Sequence, residues 1–218
     1  MGAQEMWEAA AGVPWLANIE SAMREQLFAG ARLVSLARGQ TLPETSEIAF
    51  VTDGVMKVTR RLSKDRETIL HLVESGGLLL ANDAGEPVLF EAFSDNARVL
   101  LLSMAHVQSV LEKSAAAGST LLGEMRRVYF EARDLAGDLT VTPLPRRIAW
   151  ILTRLGRRFG VDEPDGTLFI PLSLSRQDIA DLSGTTLETA IRVMSRLRRE
   201  EVVKSARSAS ETPGSSCG

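Results

Sequence analysis

The chain has 218 residues, 44% hydrophobic and 24% charged, with a single cysteine and a net charge of −3, the balance of a globular protein with a core of its own. Lone Cys217 excludes an internal disulfide, a thiolate iron–sulfur cluster and a zinc knuckle, and no run reaches the roughly 18 apolar residues of a bilayer span. The charge is unevenly spread: residues 1–140 hold 13 Lys and Arg against 19 Asp and Glu, whereas residues 141–218 hold 12 against 9, so the basic C-terminal part is the one suited to meet phosphates.

The acidic start, Met1 to Glu8, lacks the basic and apolar segments of a secretion signal, and a cytoplasmic location is expected. From Trp15 through Leu16, Ile19, Met23, Leu27 and Phe28 the apolar spacing of 3 to 4 predicts an amphipathic helix ending near Gly30, within an N-terminal helical segment, residues 1–30. Residues 31–112 change character. Short apolar runs (Ile48–Val51, Val55–Val58, Thr68–Val73, Leu78–Leu80, Val88–Phe93, Val99–Leu102) alternate with turn signals such as Asp53-Gly54 and Ser75-Gly76-Gly77, which predicts an all-β sandwich or roll.

A long helix is expected over 113–140. Leu122, Met125, Tyr129, Ala132, Ala136 and Leu139 recur at alternating spacings of 3 and 4, a heptad seam that calls for a partner helix, most simply from a second copy of the chain. The seam stops at Pro143 and Pro145, and a domain boundary is placed near Thr140. Pro145 suits the first residue of a further helix with Ile148, Ala149, Ile151, Leu152, Leu155 and Phe159 on its apolar face. Gly160 to Gly166 reads as a polar turn, and Thr167–Leu172 as a short strand.

The segment Leu174 to Gly184 predicts a short helix capped by Ser175, with Asp178 placed as in a capping box. Ile179 and Leu182 point inward, Ala180 leaves room for a crossing helix, and Gly184 suits a tight left-handed turn. A second helix follows to Arg199, with Ala190, Val193, Met194 and Leu197 as its core face. Leu187, Glu188, Ile191, Arg192 and Ser195 point elsewhere. Arg donates twice to guanine and Glu accepts from cytosine, so Glu188 and Arg192, one turn apart, suit a major groove. In isolation the same pair is a surface salt bridge worth about 0.3–0.5 kcal/mol.

The run Leu174 to Val203 (Ser-Arg-Gln-Asp-Ile-Ala-Asp, then Gly-Thr-Thr-Leu-Glu-Thr-Ala-Ile-Arg, ending Leu-Arg-Arg-Glu-Glu-Val-Val) resembles the helix-turn-helix of the Crp/Fnr superfamily, the cyclic-AMP receptor and anaerobic-regulator proteins. The resemblance implies an α+β chain: an N-terminal cyclic-nucleotide-binding-like β-roll, a long dimerisation helix, and a C-terminal winged-helix (helix-turn-helix) domain over 141–207. It puts Glu188 and Arg192 at base-reading positions, and Arg176, Gln177, Thr186 and Thr189, with Thr185 beside them, at positions that touch the DNA backbone. Arg196, Arg198, Arg199 and Lys204 are candidates for further phosphate contacts, or a solvated face. Leu187 stands where the cyclic-AMP receptor branch has arginine; its apolar character resembles the anaerobic branch and favours a thymine methyl. Ile191 departs from the serine of that branch. The polar tail after Val203, with 208–218 read as disordered, implies a truncated wing.

The sensor half matches less well. Arg38-Gly39-Gln40-Thr41-Leu42 and Phe50 to Thr59 resemble parts of the roll, and Gly85-Glu86 is present. No Arg-Ser or Arg-Thr follows to cradle a cyclic phosphate, Arg98 being the one basic residue between Arg66 and Lys113. Cyclic AMP is therefore not the expected effector, and no cofactor or metal is assigned. Haem stays open through His71 or His106, although His71 lies in an apolar strand and His106 begins a helix. The chain is not read as an enzyme, since its two histidines are far apart and it has neither a phosphate loop nor a nucleophile elbow. The expected partners are double-stranded DNA, a second copy and, for an activator, RNA polymerase. The competing reading is an effector-binding or interaction protein that kept the scaffold but lost productive DNA binding.

Overall fold

The computed structural model describes residues 3–43, 47–63, 66–80 and 88–204, and the chain divides into two compact units, Met1–Thr140 and Val141–Gly218. In the first unit the N-terminal segment forms three short helices, α1 (Ala3–Ala9), α2 (Pro14–Ala17) and α3 (Ser21–Phe28), in place of the single helix expected from Trp15. The reason is packing. A straight helix would spread Trp15 to Phe28 over roughly 20 Å, whereas Trp15, Leu16, Ile19, Leu27 and Phe28 all converge on one core cluster. Trp15 sits at its centre, stacked on Phe50 with ring centroids 5.4 Å apart and planes at 7°, and its indole N–H donates to the Ala117 carbonyl at 3.0 Å.

Among the described residues seven strands follow: β1 (Arg32–Ala37), β2 (Ile48–Asp53), β3 (Val55–Ser63), β4 (Arg66–Glu74), β5 (Leu78–Leu79), β6 (Val88–Ala92) and β7 (Asn96–Leu102). They build two antiparallel sheets, ordered β1-β7-β2-β5 and β4-β3-β6. Strand β1 has no clear signal in the sequence and is held by its pairing with β7, from Arg32 opposite Leu101 to Ala37 opposite Asn96. Gly54, at a φ of +77°, closes the β2–β3 turn; a Cβ there would lie 2.3 Å from the Asn96 carbonyl oxygen.

Side chains alternate between the faces of a strand, and here both faces of the first sheet are buried. Ile48 and Phe50 of β2 and Leu100 and Leu102 of β7 join the cluster around Trp15. Their neighbours Ala49, Val51, Val99 and Leu101 meet Met56, Val58, Val73 and Phe90 of the second sheet in a second cluster. The middle layer thus reads as continuous apolar runs. Two helices complete the unit: α4 (Met104–Lys113), and α5 (Ala115–Leu139), whose first turn is capped by the Ser114 hydroxyl accepting from the Ala117 N–H at 3.2 Å.

The second unit begins with α6 (Leu144–Phe159), in which Pro145 takes the second helical position and Pro143 the N-cap, a shift of one residue from expectation. The stretch read as a turn followed by a strand is instead a small hairpin of β8 (Val161–Asp162) and β9 (Leu168–Phe169). Packing decides this as well: Leu168 lies over Gly156 and Gly160 at the end of α6, and a Cβ on Gly156 would come within 2.6 Å of its side chain. Helices α7 (Arg176–Ser183) and α8 (Leu187–Arg199) close the unit around a core of Ile148, Ile179, Ala180, Ala190, Val193, Met194 and Leu197. The wing and the polar tail beyond Lys204 lie outside the described residues, as do Gly85 and Glu86.

Beyond α8, Glu201 adopts a φ of 58°, and the Val202 N–H turns back to the Leu197 carbonyl at 2.9 Å. A β-carbon strains this left-handed position, where glycine is the usual helix-ending residue. Glu201→Gly is expected to raise stability by about 0.5–1 kcal/mol, the relief of strain exceeding the entropy that glycine adds to the unfolded chain. Urea unfolding of the full chain checks this, and an unchanged or lower midpoint refutes it.

Candidate nucleic-acid interface

The hydrogen bonds that set α7 and α8 at an angle are mostly local. At the start of α7 the Asp178 N–H donates to the Ser175 hydroxyl at 3.0 Å, and the Ser175 N–H donates to the Asp178 carboxylate at 2.8 Å, a complete capping box. At its end Gly184 takes φ 62° and ψ 39°, and its N–H and that of Thr185 both return to the Ala180 carbonyl. Thr186 then caps α8, accepting from the Thr189 N–H. The whole turn therefore occupies Gly184, Thr185 and Thr186.

One long-range bridge supplements these bonds. Arg147, half-buried on α6, donates from Nε to the Val141 carbonyl at 2.9 Å and from Nη1 to the Ser183 carbonyl at 3.0 Å. It neutralises the carbonyl end of α7, where a cation is favoured, and ties the chain entering α6 to the helix-turn-helix. Sequence reasoning missed it because an arginine in an amphipathic helix carries no sign of a partner 36 residues away.

With the core stripe of α8 buried, Leu187, Glu188, Ile191, Arg192 and Ser195 are left exposed. Glu188 and Arg192 form no ion pair with each other among the described residues. Glu188 is instead engaged at the helix start, where its own backbone N–H, and then the Thr186 hydroxyl, hold its carboxyl below the usual glutamate range. The flanking candidates differ. Arg176 opens α7 half-buried; exposed Gln177 donates to Asp181 at 2.8 Å; Thr185 and Thr189 are half-buried, and the Thr186 and Thr189 hydroxyls lie within hydrogen-bond distance, 3.1 Å. Arg196 is bonded to Glu200 at 2.7 Å, which raises its pKa above the ordinary arginine value. Lys204 lies 3.8 Å from Asp165, in the turn of the β8–β9 hairpin.

In the first unit α5 carries the seam on its surface. Leu122 is 59%, Met125 45% and Tyr129 64% exposed; Ala132 and Ala136 are exposed too, and Leu139 is half-buried. Phe130 adds to this face, edge-on to Tyr129 with ring centroids 5.5 Å apart and under the Arg133 guanidinium at 4.6 Å. The heptad spacing passes over Phe130, whose adjacency to Tyr129 was the available signal.

The roll holds Arg98 in an ion pair with Asp53, Nη2 to carboxylate at 3.2 Å, at the β2–β7 pairing. His71 lies opposite Val58 within the second sheet, and His106 occupies the first turn of α4. Among the described residues no cluster of three or more His, Cys, Asp or Glu side chains suits a metal ion, and no helix is long and apolar enough to cross a membrane.

Residues 146–210 match the Crp-like helix-turn-helix domain. The chain is 26% identical over 163 residues to the CRP-like cAMP-activated global transcriptional regulator of Mycobacterium tuberculosis, covering 72% of each protein. The second unit thus carries a Crp-like helix-turn-helix domain, and the chain as a whole is similar to Crp/Fnr-type transcription regulators. Solved structures agree on the fold. A Crp/Fnr-family regulator from Eubacterium rectale superposes with a TM-score of 0.68 at 14% identity, covering 90% of this chain and 91% of that one. FixK2 from Bradyrhizobium japonicum gives 0.64 at 21% identity, covering 82% and 89%. A cyclic nucleotide-binding domain containing protein from Listeria monocytogenes gives 0.67 at 13%, covering 91% of each. The matched helix-turn-helix domain takes in α7 and α8 of the second unit, and the roll with its long helix forms the first.

Two substitutions test the supports of the turn. Gly184→Ala places a Cβ at a positive φ and is expected to destabilise by about 1–2 kcal/mol. Arg147→Met removes a charged donor from two carbonyls and is expected to destabilise by about 1.5–3 kcal/mol. Thermal unfolding checks both; a Gly184→Ala protein as stable as the parent would contradict the left-handed turn.

Proposed function

We propose that this regulator binds DNA sequence-specifically as a homodimer on a palindromic site and answers to an effector other than cyclic AMP. The observation that carries the proposal is α8: its apolar stripe is consumed by the three-helix core, and Glu188 and Arg192 stand exposed on the outward side without pairing to each other. A salt bridge between them would have removed the guanidinium from base reading. Arg192 is assigned to a guanine edge and Glu188 to the amino group of a cytosine. Leu187 packs beside them, and Arg176, Gln177, Thr185, Thr186, Thr189 and Arg196 line the DNA backbone. Gln177 and Arg196 exchange their present partners, Asp181 and Glu200, for phosphates.

The exposed face of α5 supports the dimer. Leu122, Met125 and Tyr129 on one helix are a poor surface for a monomer and a good seam for a second copy. Two copies of α8 related by a two-fold axis would meet half-sites about one helical turn apart, 10–10.5 bp. The cyclic-AMP-activated relative suggests a nucleotide effector, but the roll argues against one. The core cluster between its two sheets is apolar, and Arg98, the candidate phosphate cation, is already neutralised by Asp53. No cofactor is assigned. A cytoplasmic location, and contact with RNA polymerase where the protein activates, follow from the same reading.

Selection from random duplexes tests the assignment. An inverted repeat should be enriched by the parent chain and lost with Arg192→Ala. No enriched palindrome at low salt, with the dimer intact, would favour a scaffold that has lost DNA binding. Leu122→Glu with Tyr129→Glu should give monomers by light scattering; an unchanged mass would place the dimer contact elsewhere. The Glu188 carboxyl is held below the ordinary value of about 4.3. Its charge is present above that value and lost only as pH falls through the lowered one. Acidification from about pH 8 to about pH 5 should therefore leave the preference at its base unchanged, whereas Glu188→Gln should relax it at any pH.

A further inference from the structure

We infer that a cleft on the first sheet binds a zwitterion, an α-amino acid with an aliphatic side chain, held by the guanidinium of Arg98 and the carboxylate of Asp53. The inference deepens the proposed function by naming a ligand class for its effector, and rests on that reading for the ligand's regulatory role alone. The cleft is open, measures about 390 Å³ and is lined by residues of β1, β2 and β7.

A bulge builds the site. In the β2–β7 ladder Phe50 stands opposite Leu100 and Val51 opposite Val99, so a regular ladder would set Thr52 opposite Arg98. The register shifts instead, and Asp53 takes that place. Bulges of this kind re-aim a side chain. Thr52, the extra residue, is fixed from both sides: its hydroxyl donates to the Arg98 carbonyl at 3.2 Å, and its own carbonyl accepts from the Ser75 hydroxyl at 2.9 Å. On the other side of β7, β1 sets Ser35 opposite Arg98. Directly opposed residues share one face of a sheet. Hydroxyl, guanidinium and carboxylate therefore form one rung across three strands.

The ion pair is not closed on itself. Arginine–carboxylate pairs are frequently bidentate, with two parallel hydrogen bonds to two oxygens. Here Nε at 3.3 Å and Nη2 at 3.2 Å both meet the same oxygen, Oδ2. Nη1 of Arg98 and Oδ1 of Asp53 have no polar contact among the described residues. The two side chains are 43% and 55% exposed, and an exposed pair adds little to stability. What they offer is a donor group beside an acceptor, the complement of a carboxylate and an ammonium carried on one carbon. Charge selects the same ligand. An anion alone is repelled by Asp53 and a cation alone by Arg98, whereas a zwitterion satisfies both. Ser35 and Asn96 add a hydroxyl and an amide to the lining, and Leu36, Ala37 and Ala97 give it an apolar part for a short aliphatic chain. A volume near the lower end of the roughly 300–1,000 Å³ of ligand pockets suits a molecule of this size.

Calorimetric titration of the full chain at neutral pH, without DNA, tests the site with L-leucine and two analogues that each lack one charge: L-leucinamide, a cation, and 4-methylpentanoate, an anion. L-Leucine should saturate one site per chain. Each analogue should bind at least about tenfold more weakly, the loss of one charge-assisted contact. Glycine, which offers the apolar lining nothing, should also bind more weakly. Arg98→Met and Asp53→Asn should each weaken leucine binding by about tenfold with the urea midpoint close to the parent's, as an exposed pair implies. The analogue comparison needs no variant, so the site stays testable should either substitution unfold the chain. The inference is overturned if L-leucine fails to saturate by about 10 mM, if either analogue or inorganic phosphate binds as tightly as leucine, or if folded Arg98→Met keeps the parent's affinity. Glycine binding as tightly as leucine would overturn the aliphatic assignment. Because the titration contains no DNA, failure to bind leucine counts against this site, and failure to enrich a palindrome counts against the DNA-reading assignment.

Discussion

The second unit depends on one tight turn. Gly184, left-handed between α7 and α8, redirects the chain within three residues, so that the apolar stripe of α8 falls against Ile148 and Ile179. Everything on the opposite side of α8 then becomes exposed of necessity. The exposed face is in this sense the complement of the core: four buried residues, Ala190, Val193, Met194 and Leu197, determine by helical periodicity which residues stay at the surface. Arg147 reinforces the arrangement from α6 by holding the carbonyl end of α7, a partner that a mobile helix end would otherwise leave to water.

A comparable economy governs the first unit. The sheet β1-β7-β2-β5 serves two cores at once, its alternating side chains facing the N-terminal helices and the second sheet. Such a wall transmits displacement, because close-packed side chains on both faces cannot shift independently. Phe50 contributes to that wall and stacks on Trp15, and Trp15 donates to Ala117 in the first turn of α5. The roll and the helix bearing the exposed seam thereby share one core cluster, in which Trp15 bridges Phe50 and Ala117.

Much of the helix-turn-helix was legible in the sequence because its determinants are local. The capping box joins residues three apart, Gly184 answers a single backbone torsion, and the buried stripe repeats every 3 to 4 residues. The strand runs between Ile48 and Leu102 were legible for a similar reason, although β1 was not: its burial pattern is irregular, and only β7 gives it a partner. The N-terminal helices were misjudged because the 3.6-residue period was real, while the break between Ala17 and Ser21 serves a core assembled from distant strands.

What the sequence by itself determined is the helix-turn-helix pattern, the position of the turn, the outward face of α8 and the heptad spacing of α5, all carried by interactions that span four residues or fewer or by simple periodicity. What only the tertiary structure decided are the pairings across long separations. Trp15 reaches Ala117 across 102 residues, Arg98 is claimed by Asp53 across 45, and Arg147 by Ser183 across 36. The exposure of Ile191 and of the α5 seam belongs to the same class, since a residue is left at the surface only once every competing apolar group has found its place in a core. Spacing can nominate such residues. Packing alone selects among them.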